Sequence, residues 1–192
     1  DRAGLVGADG ETHQGIFDIS YLSSIPNMTV MAPKNKWELS DMIKFAVMYE
    51  GPIAIRYPRG EAYDGLEDFR APIEYGKSEV IYEENDIALF ALGSMVRTAE
   101  EVRRDLKDRG YPHSLINARF AKPVDTDVID EMCSSHSLIV ALEEGVQSGG
   151  YGEKILDHVY EHKLDVDVLI IALPDDYVEH GNVDLLTNEV GI

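Results

Sequence analysis

Met28-Thr29-Val30-Met31-Ala32-Pro33-Lys34-Asn35, continued by Glu38 and by Gly51-Pro52-Ile53-Ala54-Ile55-Arg56, is the stretch that decides the fold class. Met28 to Ala32 reads as a short strand. Pro33 ends it, because proline has no N–H to give to a ladder. Asn35 followed three residues later by Glu38 is a helix-start signature. Leu39, Met42, Ile43 and Ala46 then recur at helical spacing and mark an amphipathic helix. Gly51-Pro52 breaks that helix, and Ile53 to Arg56 reads as the next strand. A strand, a crossover helix and a strand make a β-α-β unit, so the two strands are expected to be parallel neighbours.

The same alternation continues downstream. Glu61 to Tyr75 is acidic and irregular, with Gly65 and Pro72, and reads as a linker. Ile87 to Leu92 is an apolar strand. Thr98 and Glu101 resemble a capping box for a helix lined by Ala99, Val102 and Leu106 and ended by Gly110. Ser114 to Ala118, Leu138 to Leu142 and Val166 to Ala172 read as strands. Val128, Ile129 and Met132 mark one intervening helix, and Tyr151, Ile155 and Val159 another. This order predicts an α/β fold with a mostly parallel sheet. The expected division is residues 1–62, a linker at 63–75 and a second domain at 76–192.

Upstream lies Gly7-Ala8-Asp9-Gly10-Glu11-Thr12-His13-Gln14-Gly15, between the apolar run Ala3 to Val6 and the hydrophobic segment Ile16 to Leu22. Three glycines let backbone amides approach a ligand. Asp9 offers a carboxylate and His13 a group that titrates near neutral pH. The competing reading is a turn at Asp9-Gly10 with a structural histidine.

Composition narrows the classes. The 192 residues carry 17 Lys and Arg against 36 Asp and Glu, a formal charge of −19. Such a field repels phosphodiester backbones and anionic membranes, so neither nucleic acid nor membrane is an expected partner. An arginine that binds a small anion must act locally against that field. Arg56-Tyr57-Pro58-Arg59-Gly60 lies just past a strand's carboxyl end, where ligands of open α/β sheets bind. Its arginines either present a guanidinium to a phosphate or carboxylate, or pair with the plentiful acids. The single cysteine, Cys133, excludes an intrachain disulfide and reads as a structural thiol. No apolar run is long enough to cross a bilayer and no signal peptide is visible, so a cytoplasmic protein is expected. Asp1-Arg2 runs straight into an apolar strand at Ala3 to Val6, and Asn188 to Ile192 stops abruptly. The chain therefore reads as a piece of a longer polypeptide.

Three further motifs have weaker readings. Ser148-Gly149-Gly150-Tyr151-Gly152 precedes a helix and is a candidate anion cradle, although it lacks the spacing of a dinucleotide fingerprint. His158-Val159-Tyr160-Glu161-His162 has the spelling of a zinc motif, but no third ligand is evident, and no metal site is expected within the chain. Glu143-Glu144 ends a strand and is weak evidence for acid–base work.

Taken together these segments resemble the 1-deoxy-D-xylulose-5-phosphate synthase family of transketolase-like thiamine-diphosphate enzymes. The resemblance rests on Arg2-Ala3-Gly4, Gly7 to Gly15, Phe17 to Leu22, Ile25 to Met28 and Gly51-Pro52 through Arg56-Tyr57-Pro58-Arg59-Gly60. Arg119 to Pro123, Glu143-Glu144-Gly145, Gly149 to Gly152 and Leu173-Pro174-Asp175 extend it. The loop around His13 alone would also suit transketolase, whereas Tyr57-Pro58-Arg59 is more specific. The resemblance implies the distal part of a pyrimidine-binding domain followed by a transketolase C-terminal-like domain. It implies condensation of pyruvate with glyceraldehyde 3-phosphate, with loss of carbon dioxide, in a homodimer that serves isoprenoid, thiamine and pyridoxal synthesis. It assigns the aldehyde's phosphate to Arg2 and Arg59, substrate hydroxyls to Asp9, and proton transfer or charge stabilisation to His13. Thiamine diphosphate and Mg2+ would be held mainly by a glutamate, a Gly-Asp-Gly segment and an asparagine that nothing here matches, so the fragment alone is expected to be inactive. The alternatives are a transketolase or a dehydrogenase E1 β-type subunit, a non-catalytic interaction module, and a nucleotide-binding α/β domain. The missing glycine fingerprint weighs against the last.

Overall fold

The computed structural model describes residues 1–192. The decisive β-α-β unit forms as expected: β1 (Thr29–Met31), α2 (Lys36–Met48) and β2 (Ile53–Ile55) follow a short helix α1 (Asp18–Ser23). β1 and β2 are parallel, with Thr29 opposite Ile53 and Met31 opposite Ile55. Asn35 caps α2 by accepting from the Glu38 amide at 2.9 Å. The Glu38 side chain does not complete the box and turns instead into a buried charge network.

The second block is a five-stranded sheet in the order β3-β5-β4-β7-β8. Its strands are β3 (Glu79–Tyr82), β4 (Asp86–Ala91), β5 (His113–Asn117), β7 (His136–Val146) and β8 (Asp167–Leu173). All pairings are parallel except β3 with β5. Helices α3 (Met95–Asp108), α4 (Thr126–Cys133) and α5 (Tyr151–His162) cover it, and α6 (Val183–Val190) ends the chain. The two-residue period of β4 divides the core. Ala88 and Phe90 pack with Ile129 of α4 and Ile155 of α5, while Leu89 and Ala91 pack with Met95, Val96 and Ala99 of α3. Burial on both faces explains why the inner strands β4 and β7 read as continuous apolar runs.

Four departures from the sequence reading have identifiable causes. The two blocks share a sheet: β6 (Phe120–Lys122) pairs antiparallel with β1 on the side opposite β2. A three-residue strand carries too little periodicity to be seen in sequence. The helix marked by Thr98 begins earlier, at Met95, and Ser94 at its start gives its hydroxyl to Glu144 rather than capping. Ala3 to Val6 is not a full strand, since only Ala3 and Gly4 bridge to Gly15. The stretch from Glu61 to Tyr75 has no helix or strand, yet it is a packed strap. Gly65 O accepts from Asn35 Nδ2 at 3.0 Å, and Ala71 O accepts from Arg119 at 2.8 Å.

That strap covers a charge network that sequence reasoning missed. Lys34, Glu38, Glu79 and Arg119 are all nearly fully buried. Lys34 Nζ lies 3.1 Å from Glu38 and 2.6 Å from Glu79; Arg119 lies 2.8 Å and 3.1 Å from the same two acids. Asn117 donates to both carboxylates. Two cations thus balance two anions, which is the condition for burying charge at all. The network joins α2 and β1 to β3, β5 and the strap.

Candidate functional site

The loop from Gly7 to Gly15 sits on a hydrophobic base made by Leu5, Ile16, Val146, Leu173, Val178 and Leu186. Gly4 and Gly15 exchange backbone hydrogen bonds at 2.8 and 2.9 Å, and the Leu5 amide donates to Glu144 at 2.9 Å. Between these ties, Gly7 to Asp9 form a single 3-10 turn. Gly7 has φ +68°, and a Cβ there would lie 2.7 Å from Gly181 O, so both backbone conformation and space require glycine. The Ala3 amide donates to Tyr57 O at 3.0 Å, which sets the chain around Arg2 beside the Tyr57-Pro58-Arg59 turn.

The four residues singled out from sequence fall together. Arg2 Nε is 3.2 Å from Asp9 Oδ2, and Arg59 donates to the same oxygen. The Arg59 hydrogen bond holds the Asp9 carboxyl below its usual range. Arg59, Arg2 and His13 add their fields, against a desolvation that acts the other way. Two guanidiniums on one carboxylate leave a local excess of positive charge in a chain of net −19. Both arginine side chains remain substantially exposed, so an incoming anion can reach them. His13 is exposed, with Nδ1 2.9 Å from Thr12 Oγ1. It opens onto a cleft of about 360 Å³ shared with Arg2, Gly15, Asp18 and Tyr21. Arg59 borders a second hollow of about 470 Å³ with Tyr57, Tyr63, Leu39 and Arg97.

Arg56 takes the other course open to it. It is buried, pairs with Asp18 at 2.8 Å, and donates to the carbonyls of Gly15 and Glu144 at 3.2 and 3.1 Å. It ties the end of β2 to the site loop and to β7. Gln14 is a further residue that sequence reasoning missed. It is buried; its Oε1 accepts from Val6 N at 2.6 Å, and its Nε2 donates to Glu179 O at 3.2 Å. An acid at Asp18 and an amide at Gln14 carry no distinguishing sequence signal, because their partners lie in distant segments.

The weaker motifs resolve into structural roles. The anion cradle at the start of α5 is filled from within: the Tyr151 and Gly152 amides each donate to Glu143 at 2.8 Å. Burial raises the Glu143 carboxyl, while those amides and the neighbouring cations pull the other way. Glu144 spans the Leu5 amide and the Ser94 hydroxyl. His158 pairs with Asp130 at 2.7 Å, and His162 bonds back to His158 O at 3.0 Å. Cys133 is half-buried against the main core, and burial raises its thiol. No group of three His, Cys, Asp or Glu is arranged to hold a metal ion. With the α5 amides also taken, the residues present do not fit a metal-bound diphosphate. No helix is long and apolar enough to cross a membrane.

Known proteins share this arrangement of domains. The model of the transketolase C-terminal domain matches residues 76–192, and that of the transketolase pyrimidine binding domain matches residues 1–64. The chain belongs to the transketolase family. Within that family, a curated 1-deoxy-D-xylulose-5-phosphate synthase of Lachnoclostridium phytofermentans is 49% identical over 193 residues, covering 100% of this chain and 31% of its own length. The same-named protein of Alkaliphilus oremlandii is 44% identical over 194 residues with the same coverage. The chain thus spans about 31% of the length of these relatives. A solved structure described as a split gene transketolase, inactive beta4 tetramer, superposes with a TM-score of 0.85 at 26% identity, covering 96% of this chain and 59% of that one.

Proposed function

We propose that this chain is the distal part of a 1-deoxy-D-xylulose-5-phosphate synthase, condensing pyruvate with glyceraldehyde 3-phosphate and releasing carbon dioxide. The observation that carries this reading is the convergence of Arg2 and Arg59 on Asp9 beside His13. A phosphate competes with Asp9 for the two guanidiniums, and charge-assisted contacts of this kind fix the aldehyde's position. Both arginines sit on Asp9 Oδ2, which leaves Oδ1 for a substrate hydroxyl. Thr12 engages His13 Nδ1, which leaves Nε2 for proton transfer within the cleft. The identity to synthase-named relatives supports the synthase over a transketolase, as does Tyr57-Pro58-Arg59.

Thiamine diphosphate and Mg2+ are then held by residues outside these 192, in a homodimeric cytoplasmic enzyme, and the chain by itself is inactive. The poor fit of the residues present to a metal-bound diphosphate supports the placing of that group outside them. The neighbouring fold described as an inactive tetramer supports the inactivity of the chain by itself.

The test uses the intact enzyme with thiamine diphosphate and Mg2+, following labelled carbon dioxide from pyruvate with and without glyceraldehyde 3-phosphate. Release that depends on the aldehyde, with Arg59→Ala raising its KM roughly 10- to 100-fold, is the expected result. Activity only with a ketose-phosphate donor would move the chain to transketolase. No activity with any donor would leave an interaction module.

A further inference from the structure

The segment after β8, Pro174 to Asn182, lies against the back of the loop that carries Asp9 and His13. Three independent contacts fix it there. Gly181 N donates to Gly7 O at 3.3 Å. Phe17 and Tyr177 meet edge to face at 5.6 Å. Gln14 donates to the Val178 and Glu179 carbonyls at 3.4 and 3.2 Å. Gln14 is 7% exposed and adjoins His13, and its own Oε1 accepts from Val6, the residue that enters the loop. One side chain therefore closes the loop on itself and clips it to a segment more than 160 residues away.

We infer that Gln14 is a positioning residue: through the Val178 and Glu179 carbonyls it lets the C-terminal segment set where Asp9 and His13 stand. This rests on the function proposed above for those two residues. The physical reason is directional. A primary amide is an acceptor at one atom and a donor at the other, and here each end has a different backbone partner. Glutamate in its place, when ionised, keeps the acceptor for Val6 but has nothing to donate, and it sets a carboxylate oxygen against two carbonyl oxygens; when protonated, it regains a donor. On the alkaline side, where the carboxyl is ionised, Gln14→Glu therefore cuts the tie to the C-terminal segment and leaves the loop closure intact, so the readouts below are taken there. Val178→Ala loosens the same tie from the other side, because Val178 is buried in the hydrophobic base and its carbonyl accepts from Gln14.

The experiment uses the intact, cofactor-loaded enzyme, with wild type, Gln14→Glu, Val178→Ala and the double variant. Hydrogen–deuterium exchange is read on peptides covering 7–15 and 174–182, and kcat and KM for glyceraldehyde 3-phosphate are read separately. Loss of a buried hydrogen-bonded tie should raise exchange in 174–182 roughly 10- to 100-fold in Gln14→Glu. kcat should fall by about tenfold or more and by a larger factor than KM rises, because the Arg59 guanidinium itself stands on another loop. Val178→Ala should give a smaller version of both effects, and the double variant should fall short of the product of the singles. Faster exchange with unchanged kcat per folded enzyme overturns the positioning role. Unchanged exchange in 174–182 overturns the tie itself. If Gln14→Glu does not fold, Val178→Ala decides both points by the same two readouts. A wild-type enzyme without synthase activity overturns the proposed function instead, and the tie is then judged by exchange alone.

Discussion

Arg119→Met tests the buried charge network that holds the two blocks together. Methionine occupies a similar length but removes the guanidinium that sits 2.8 Å from Glu38 and 3.1 Å from Glu79. It also withdraws the donors to Ala71 O and Pro72 O. Lys34 is left to balance two carboxylates, so a net negative charge remains buried. Breaking a buried pair from one side costs about 3–5 kcal/mol. For a chain of this size that corresponds to a Tm lower by about 6–20 °C. Urea unfolding monitored by far-UV circular dichroism reads it directly, and an unchanged m-value would show that the denatured state is not the cause. Adding Glu38→Leu restores charge balance, with Lys34 facing Glu79 alone, so the double variant should lose less than the sum of the singles. The pH dependence has a defined sign. Burial opposes the Glu79 charge, but the Lys34 hydrogen bond and the fields of Arg119 and Lys34 outweigh it and hold the carboxyl below its ordinary 4.5. Its contribution is fully present above that value and is lost as pH falls through the lower folded value. Arg119→Met should flatten this acid limb. A loss below about 1 kcal/mol, the range of exposed pairs, would refute the reasoning, because it would mean that water screens the network.

Arg70 grips Asp41 at 2.7 and 3.0 Å and draws its carboxyl down to about 2, with Lys44 assisting. Arg70→Ala should return the Asp41 titration towards 3.8 by carboxyl NMR and make the 61–75 strap cleave faster under limited proteolysis, with little change in global stability because the pair is solvent-screened. The Asp41 contribution is present above 3.8 and fades as pH approaches 2, so the strap should loosen only in strong acid. Arg56→Lys should not rescue Arg56→Ala in thermal melts, because an ammonium cannot reproduce the planar fork that meets Asp18, Gly15 O and Glu144 O together. Near-wild-type stability of the lysine variant would contradict that geometry. Gly7→Ala should lower stability by about 1–3 kcal/mol, because its φ of +68° is unfavourable and its Cβ meets Gly181 O. An unchanged melting curve would mean that the loop takes another path.

What the sequence determined by itself is what short-range chemistry controls. Pro33, the Asn35 cap and Gly51-Pro52 act within a few residues, so the β-α-β unit and the parallel pairing of β1 with β2 are legible from sequence alone. The apolar runs of β4, β5, β7 and β8 are legible for the same reason. The residue types of the candidate site, Arg2, Asp9, His13 and Arg59, also stand out, because arginines are conspicuous in so acidic a chain. Tertiary structure decided everything that depends on a distant partner. β6 is too short to announce itself and exists only because β1 offers it an edge. Of two arginines three residues apart, Arg56 is buried against Asp18 and Arg59 stays at the surface on Asp9, a division that spacing does not contain. Glu38 and Arg119 are 81 residues apart, and among 36 acids no local pattern selects the pair. Glu143 fills the helix start that the glycines alone made look like an anion site. Propensity and capping are local energies, whereas the pairing of buried charges is fixed by where the chain returns.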